Sequence, residues 1–223
     1  MNDRDLYRRE PAQVARRNLM KSMVAGGAAL VLGPRAQAGP RSVVVETTDG
    51  RVRGLRESGV LVFKGIPYAA STAGPNRFLP PQPVAPWAGV RDALAYGPSA
   101  PQGAYAGIEA LSEDCLALNV FAPEHSTGAR RPVMVWLHGG GWYVGAGSSP
   151  EARGMNLAAR GDVVLVTINH RLGSFGHLLI EDTDTRFADA ANVGVLDMIA
   201  ALNCVRLNAA AFGGDGRTPA GSG

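Results

Sequence analysis

Cysteine, lysine and long apolar runs are all scarce in this chain, and each shortage removes a class of protein. Two cysteines in 223 residues, Cys115 and Cys204, cannot build a disulfide framework, and their spacing fits no zinc pattern. A single bridge or two separate thiols remain. No lysine follows Lys64, so the Gly-Lys-Ser/Thr of a phosphate-binding P-loop is missing. The one glycine-rich loop that resembles a dinucleotide fingerprint also fails, because the last glycine of G-x-G-x-x-G falls on Val144. The apolar stretch at residues 22–33 is too short and too rich in glycine to span a membrane as a stable helix. Basic charge is lacking where it would matter. Residues 1–38 hold seven Lys/Arg and three Asp/Glu, so +4 of the chain's net +3 lies there and 39–223 carries −1. That remainder has no nucleic-acid footprint. Internal repeats and low-complexity tracts are absent from the sequence. A 46% hydrophobic content predicts one large domain with a packed core.

The stretch that organises the remainder runs from residue 133 to 145, VMVWLHGGGWYVG. Residues 133–137 read as a short buried strand, entered from Pro132. His138-Gly139-Gly140-Gly141 follows at once. Consecutive glycines at a strand end let the backbone turn tightly and aim bare N–H groups into a cavity. Acyl transfer needs such donors around a developing oxyanion, where losing one costs roughly 2.7–4 kcal/mol. An HGGG run is one form that this oxyanion hole takes in esterases and lipases.

Residues 1–38 carry the parts of an export signal in order: Arg16-Arg17 with Leu19 and Lys21, the apolar stretch, then Ala36-Gln37-Ala38 as a small-x-small cleavage site. They resemble a twin-arginine signal and imply a periplasmic or secreted protein, with the export translocase as partner of residues 1–38. Residues 42–47, 51–55 and 60–64 read as an antiparallel meander turned at Asp49-Gly50 and Ser58-Gly59. Eight prolines between 65 and 102 predict an irregular but ordered wrap around a core, held by aromatics such as Trp87. Strands follow at 116–121, 133–137 and 163–168. A helix capped by Ser149 is expected over 150–159, and a longer one over 192–211 with Val195, Ile199, Leu202 and Val205 on its apolar face, stopped by Gly213-Gly214. Apolar strands alternating with helices predict an α/β fold: the meander leads into a mostly parallel central sheet with flanking helices.

These segments resemble the type-B carboxylesterases, the cholinesterase and para-nitrobenzyl esterase relatives of the α/β-hydrolase fold. The matching stretches are FKGIPYA, RFLPPQPVAPWAGVRDALAYGP, SEDCLALNVFAP, PVMVWLHGGGW, LAARGDVVLVTINHRLG and AAFGGD, in family order across residues 50–215. The resemblance implies that Gly140 and Gly141 line the oxyanion hole, that Gly139 shapes the loop, and that Trp142 stands beside it. It implies two buried ion pairs of the framework, Arg77 with Glu113 and Arg171 with Asp197. It implies a small-molecule carboxylic ester as substrate, serine acyl transfer as chemistry, and no cofactor and no metal.

Four departures from the family pattern qualify this. Ala117 stands where an aromatic residue or threonine is usual. Ala100 stands where the family often has the cysteine that pairs with the equivalent of Cys115, and Cys204 replaces a tryptophan, so free thiols are expected. The fourth departure follows Asp215. The family continues there through a strand into the G-x-S-x-G elbow that carries the nucleophile, whereas this chain reads GRTPAGSG. Ser222 lies outside that motif and is rejected as a nucleophile. His125, His138, His170 and His177 are read as a loop residue, the oxyanion-loop histidine and two residues replacing family aromatics, rather than as a general base. The expected organisation is a signal over 1–38, a truncated catalytic domain over 39–215 and a tail outside the family over 216–223. No strand is expected after Phe212, which would leave an unpaired sheet edge. The chain thus reads as an inactive N-terminal fragment of an esterase; the alternatives are a binding protein on an esterase fold and the inert product of an interrupted reading frame.

Overall fold

The computed structural model describes residues 42–105, 107–108, 110–125, 130–180 and 184–222, the last six by backbone alone. The signal expected over 1–38 lies outside the described residues. Three strands open the fold, β1 (Ser42–Thr47), β2 (Gly50–Glu57) and β3 (Val60–Pro67), each antiparallel to the next. The second turn is tight because Ser58 and Gly59 both take positive φ, 48° and 81°; that pair of conformations matches the right-handed twist of the flanking strands.

β3 then pairs antiparallel with β5 (Ala117–Pro123), and β5 pairs antiparallel with β7 (Val164–Ile168). Parallel pairing is confined to β7, β6 (Arg131–Trp136) and β8 (Gly214–Ser222), while the short β4 (Val90–Asp92) lies parallel to β2. The order across the sheet is β1-β2-β3-β5-β7-β6-β8. Its interior strands are buried on both faces: every residue of β7 is buried, as is every residue of β5 after Ala117. Phe63, Phe121, Ile168, Val133 and Val135 fill the space between sheet and helices.

The proline-rich wrap contains one 3-10 turn, Gly74–Asn76, and β4. It is tied down at intervals. The Trp87 indole donates to the Arg51 carbonyl at 2.9 Å, and the Tyr68 hydroxyl donates to the Asn169 carbonyl at 2.5 Å inside the core.

The helix expected over 150–159 is broken. A 3-10 turn, Pro150–Ala152, is followed by α1 (Met155–Gly161), and Ser149 caps neither; its hydroxyl is buried without a partner. α2 (Gly173–His177) is a short helix after β7. α3 (Val193–Asn208) is the long one, continued by a 3-10 turn to Phe212. Its buried face matches the expected one at Leu202 and Val205 but not at Val195 and Ile199. Val193, Gly194, Asp197, Ala201, Val205 and Asn208 are buried, while Val195 and Ile199 are 37% and 49% exposed. The helix turns Asp197 inward to meet Arg171, and Gly194 allows its backbone close to α2, so Val195 and Ile199 face out.

The expectation of no strand after Phe212 is corrected. β8 runs parallel to β6 with Val133 opposite Pro219 and Trp136 opposite Ser222, through the boundary expected at Asp215. The sheet therefore ends on β8, and β6 is not an open edge. Pro219 is tolerated because an edge strand leaves one row of N–H positions unpaired.

Candidate active site

β6 delivers the chain to the site. Beyond Trp136 the backbone leaves the sheet, and residues 139–143 form an exposed turn. Gly140 has φ +120° and Gly141 φ +63°. A Cβ on Gly140 would lie 2.0 Å from the Val144 carbonyl oxygen, so no other residue fits there. Gly139 has open space around its Cβ position and no positive φ, so the turn demands glycine at 140 and 141 rather than at all three. The Gly140 carbonyl accepts from the N–H groups of Tyr143 and Val144, at 3.1 and 3.2 Å. Among the described residues, the N–H groups of Gly140 and Gly141 donate to no protein acceptor. Gly141, but not Gly140, lines a cavity of about 550 Å³ together with Trp142, Tyr143, Ser174, His177 and Leu178.

Polar residues that the sequence reading passed over hold the turn from behind. Gln102 clamps Gly145: its Oε1 accepts the Gly145 N–H at 2.7 Å and its Nε2 donates to the Gly145 carbonyl at 2.9 Å. Asn169 Oδ1 accepts the Gly147 N–H at 2.8 Å, while Asn119 Nδ2 and the Thr167 hydroxyl donate to the Gly147 carbonyl. Asn119, Thr167 and Asn169 are buried, so these bonds are made away from water, where leaving a partner unsatisfied is costly. The signal available in sequence was polar amides on otherwise apolar strands, which need partners when buried.

Trp142 follows the two glycines with φ +67°, a conformation costing of order 1–3 kcal/mol for a bulky residue. Its carbonyl accepts the Gly173 N–H at 2.7 Å. Its indole meets two imidazoles edge-on, His170 at 5.5 Å and His177 at 4.8 Å between ring centroids. His170 in turn stacks flat on His138, with centroids 4.5 Å apart and planes 4° from parallel. Three of the four histidines thus gather at the turn. Each Nδ1 of His138 and His170 lies 3.0 Å from a carbonyl oxygen, of Gly139 and Arg171 respectively, so both carry their proton on Nδ1. Burial lowers the pKa of His138 and, with the neighbouring His138 and His177, pushes His170 down to about 4. Both are neutral at pH 7. Among the described residues no group of three His, Cys, Asp or Glu side chains is arranged to hold a metal ion, so the cluster is a packing unit. His125 stands apart, on the loop after β5.

The two expected ion pairs form with different burial. Arg171 and Asp197 are 3% and 0% exposed and make a bidentate pair at 2.8 and 2.7 Å. Asp197 Oδ2 also accepts the Arg171 backbone N–H, and Arg171 Nη1 donates to the Leu79 carbonyl at 2.8 Å. Arg77 and Glu113 are equally bidentate, at 2.7 and 2.5 Å, but Arg77 is 45% exposed, which corrects the expectation that this pair is buried. The hydrogen bond to Arg77 holds Glu113 below the usual carboxylate range and raises Arg77 in return. Solvent screens such a pair, so it contributes little stability.

Cys115 and Cys204 are both free. Burial pushes their thiols up to about 12 and about 11, which keeps them protonated and unreactive. Ala100, where the family often has a cysteine, is buried, and Ala117 opens β5. Ser222 falls at the end of β8, opposite Trp136.

The family model described as "Carboxylesterase family" matches residues 41–218. The para-nitrobenzyl esterase of Bacillus subtilis (strain 168) is 47% identical over 178 residues, covering 77% of this chain and 36% of that protein. Human carboxylesterase 3 is 43% identical over 208 residues, 83% of this chain and 35% of its own length. A crystal structure of a Geobacillus stearothermophilus carboxylesterase superposes with a TM-score of 0.72 at 49% identity, covering 77% of this chain and 35% of that one. The chain spans about a third of the length of the relatives it matches. The family model covers most of the chain, the relatives and the solved structure agree with it, and the chain belongs to the carboxylesterase family.

Proposed function

We propose that this chain is the N-terminal portion of an exported serine carboxylic ester hydrolase, in which Gly140 and Gly141 supply oxyanion-hole donors. The observation that carries this reading is the pair of unengaged N–H groups in a glycine turn at the end of a buried strand, with Gly141 lining the adjacent cavity. Donors already fixed in place stabilise charge that develops on a carbonyl oxygen without reorganising during the reaction. In this mechanism a serine attacks the ester, a histidine carries the proton, an acidic residue orients the histidine, and the glycine turn holds the oxyanion. Within the 223 residues only the glycine turn is provided, since no G-x-S-x-G occurs in the sequence. The cavity lining carries no carboxylate, lysine or arginine, which suits a small neutral ester.

The coding DNA beyond the codon for Gly223 tests this directly. A G-x-S-x-G elbow followed by the acid and the histidine supports the hydrolase. An extended protein without the elbow serine would instead make the chain part of a binding protein. In an extended, active protein, Gly140→Ala is expected to lower kcat by about 10²–10³-fold, because a Cβ at φ +120° displaces the donor.

Export rests on residues 1–38 and is read from Arg16-Arg17 and Ala36-Gln37-Ala38. A reporter fused to residues 1–45 is expected to reach the periplasm, and changing Arg16 and Arg17 to lysine is expected to abolish this. Undiminished periplasmic signal in the double variant would remove the twin-arginine reading.

A further inference from the structure

The cavity between the sheet and α3 is narrow and belongs to core packing, and nothing in the structure shows what covers the outward apolar face of α3. The histidine cluster goes further. We infer that Trp142 is a positioning residue for the Gly140–Gly141 turn, and that His170 is the keystone that holds it, gripping both ends of the turn until acid opens the grip. The catalytic consequence rests on the oxyanion reading above; the grip itself does not.

The geometry is specific. The turn begins at His138 and ends at Trp142, and His170 contacts both rings, stacked on the first at 4.5 Å and edge-on to the second at 5.5 Å. His177 closes the far side of the indole at 4.8 Å. The Trp142 carbonyl is held by the Gly173 N–H, so backbone and side chain are fixed independently. A residue held at positive φ keeps that conformation only while its surroundings over-determine it. Removing the ring contacts therefore lets Trp142 relax, and the donors of Gly140 and Gly141 move with it.

Protonation removes those contacts. His170 is buried, and a positive charge on it would lie against the face of His138 and beside His177. The charged groups nearby offer little compensation. Asp197 of α3 is already engaged by Arg171, and Glu151 of the 3-10 turn is exposed and acts on His138. The carbonyl of Arg171 already accepts the Nδ1 proton of His170. His177 has no room to withdraw inward, since its Nε2 is buried without a partner and a Cβ on Gly194 would meet it at 2.6 Å. Acid therefore separates the stack outward, on the side of the turn.

The experiment needs no turnover, so its outcome is independent of whether the chain belongs to an active esterase. Tryptophan emission of the full 223-residue chain is titrated from pH 8 to pH 3 beside Trp142→Phe, the difference isolating Trp142 from Trp87 and Trp136. Far-UV circular dichroism is followed in parallel. The expected result is a Trp142 transition below the ordinary histidine pKa of about 6.5, with the circular dichroism unchanged across it. His170→Phe keeps a flat ring against His138 and is expected to abolish the transition; His177→Gln, which keeps His170, is expected to shift its midpoint. A Trp142 signal that is flat from pH 8 to pH 3, that changes only together with the circular dichroism, or that titrates identically in His170→Phe and His177→Gln would overturn the inference.

Discussion

Asp197→Ala is expected to destabilise the fold by about 3–5 kcal/mol, most of what a domain of this kind has to lose. Asp197 is fully buried and holds Arg171 through both guanidinium contacts and the backbone N–H. Removing the carboxylate strands a buried cation that also donates to Leu79, the point where the proline-rich wrap meets α3. The loss would appear as a lower midpoint in urea unfolding with an unchanged slope. Replacing both partners together, Arg171→Met with Asp197→Leu, is expected to cost far less, because the desolvation of two charges disappears with their attraction. A double variant as unstable as the single one would show that the pair contributes through geometry rather than charge. Arg77→Ala serves as the exposed control, and its midpoint should barely move.

Equally large, in rate, is the effect expected for catalysis: the 223-residue chain is expected to hydrolyse a short-chain nitrophenyl ester no faster than buffer. Serine hydrolases stripped of the triad lose on the order of 10⁶ in kcat, and the residual acceleration of roughly 10³–10⁴ over water requires an intact pocket. On the proposed reading the chain holds the oxyanion donors of Gly140 and Gly141, while the sequence contains no G-x-S-x-G serine to attack. His138 and His170 have their rings against each other and their Nδ1 protons on backbone carbonyls, so neither serves as a base for a serine. Ser222 deserves a direct control because β8 brings it opposite Trp136, at the strand end from which the glycine turn departs. Turnover that is blocked by an organophosphate and lost in Ser222→Ala would make that serine a nucleophile.

Several elements were legible because local pattern and tertiary role agree. The β-rich runs of β1 and β2, the Ser58-Gly59 turn and the continuous apolar runs of β6 and β7 each state their own structure. β8 was illegible for the opposite reason. Gly-Asp-Gly-Arg-Thr-Pro-Ala-Gly-Ser is a poor strand former by composition, and its extended form comes from pairing with β6 rather than from its own side chains. Leu202 and Val205 pack inward as expected, but Val195 and Ile199 were misplaced because their helical spacing says nothing of Arg171, more than twenty residues earlier, whose pairing with Asp197 turns the start of the helix. In the site, the HGGG run was legible from its residues, and the resemblance to the family singled out Gly140 and Gly141 within it. Gln102, Asn119 and Asn169 could not, since each acts on backbone 22 to 43 residues away. His170 and His177 were read as replacements for aromatic residues, and both do pack as rings against Trp142.

The outward face of α3 has a consequence for how the protein is made. Val195, Ile199 and Leu207 present apolar surface to water, at 37%, 49% and 57% exposure, although the opposite face of the same helix is packed on the sheet. Apolar surface on the outside of a folded helix favours association between copies at the concentrations reached in overexpression. Ile199→Glu is expected to raise the soluble yield while moving the unfolding free energy by no more than about 0.5 kcal/mol, because the side chain it replaces is half exposed.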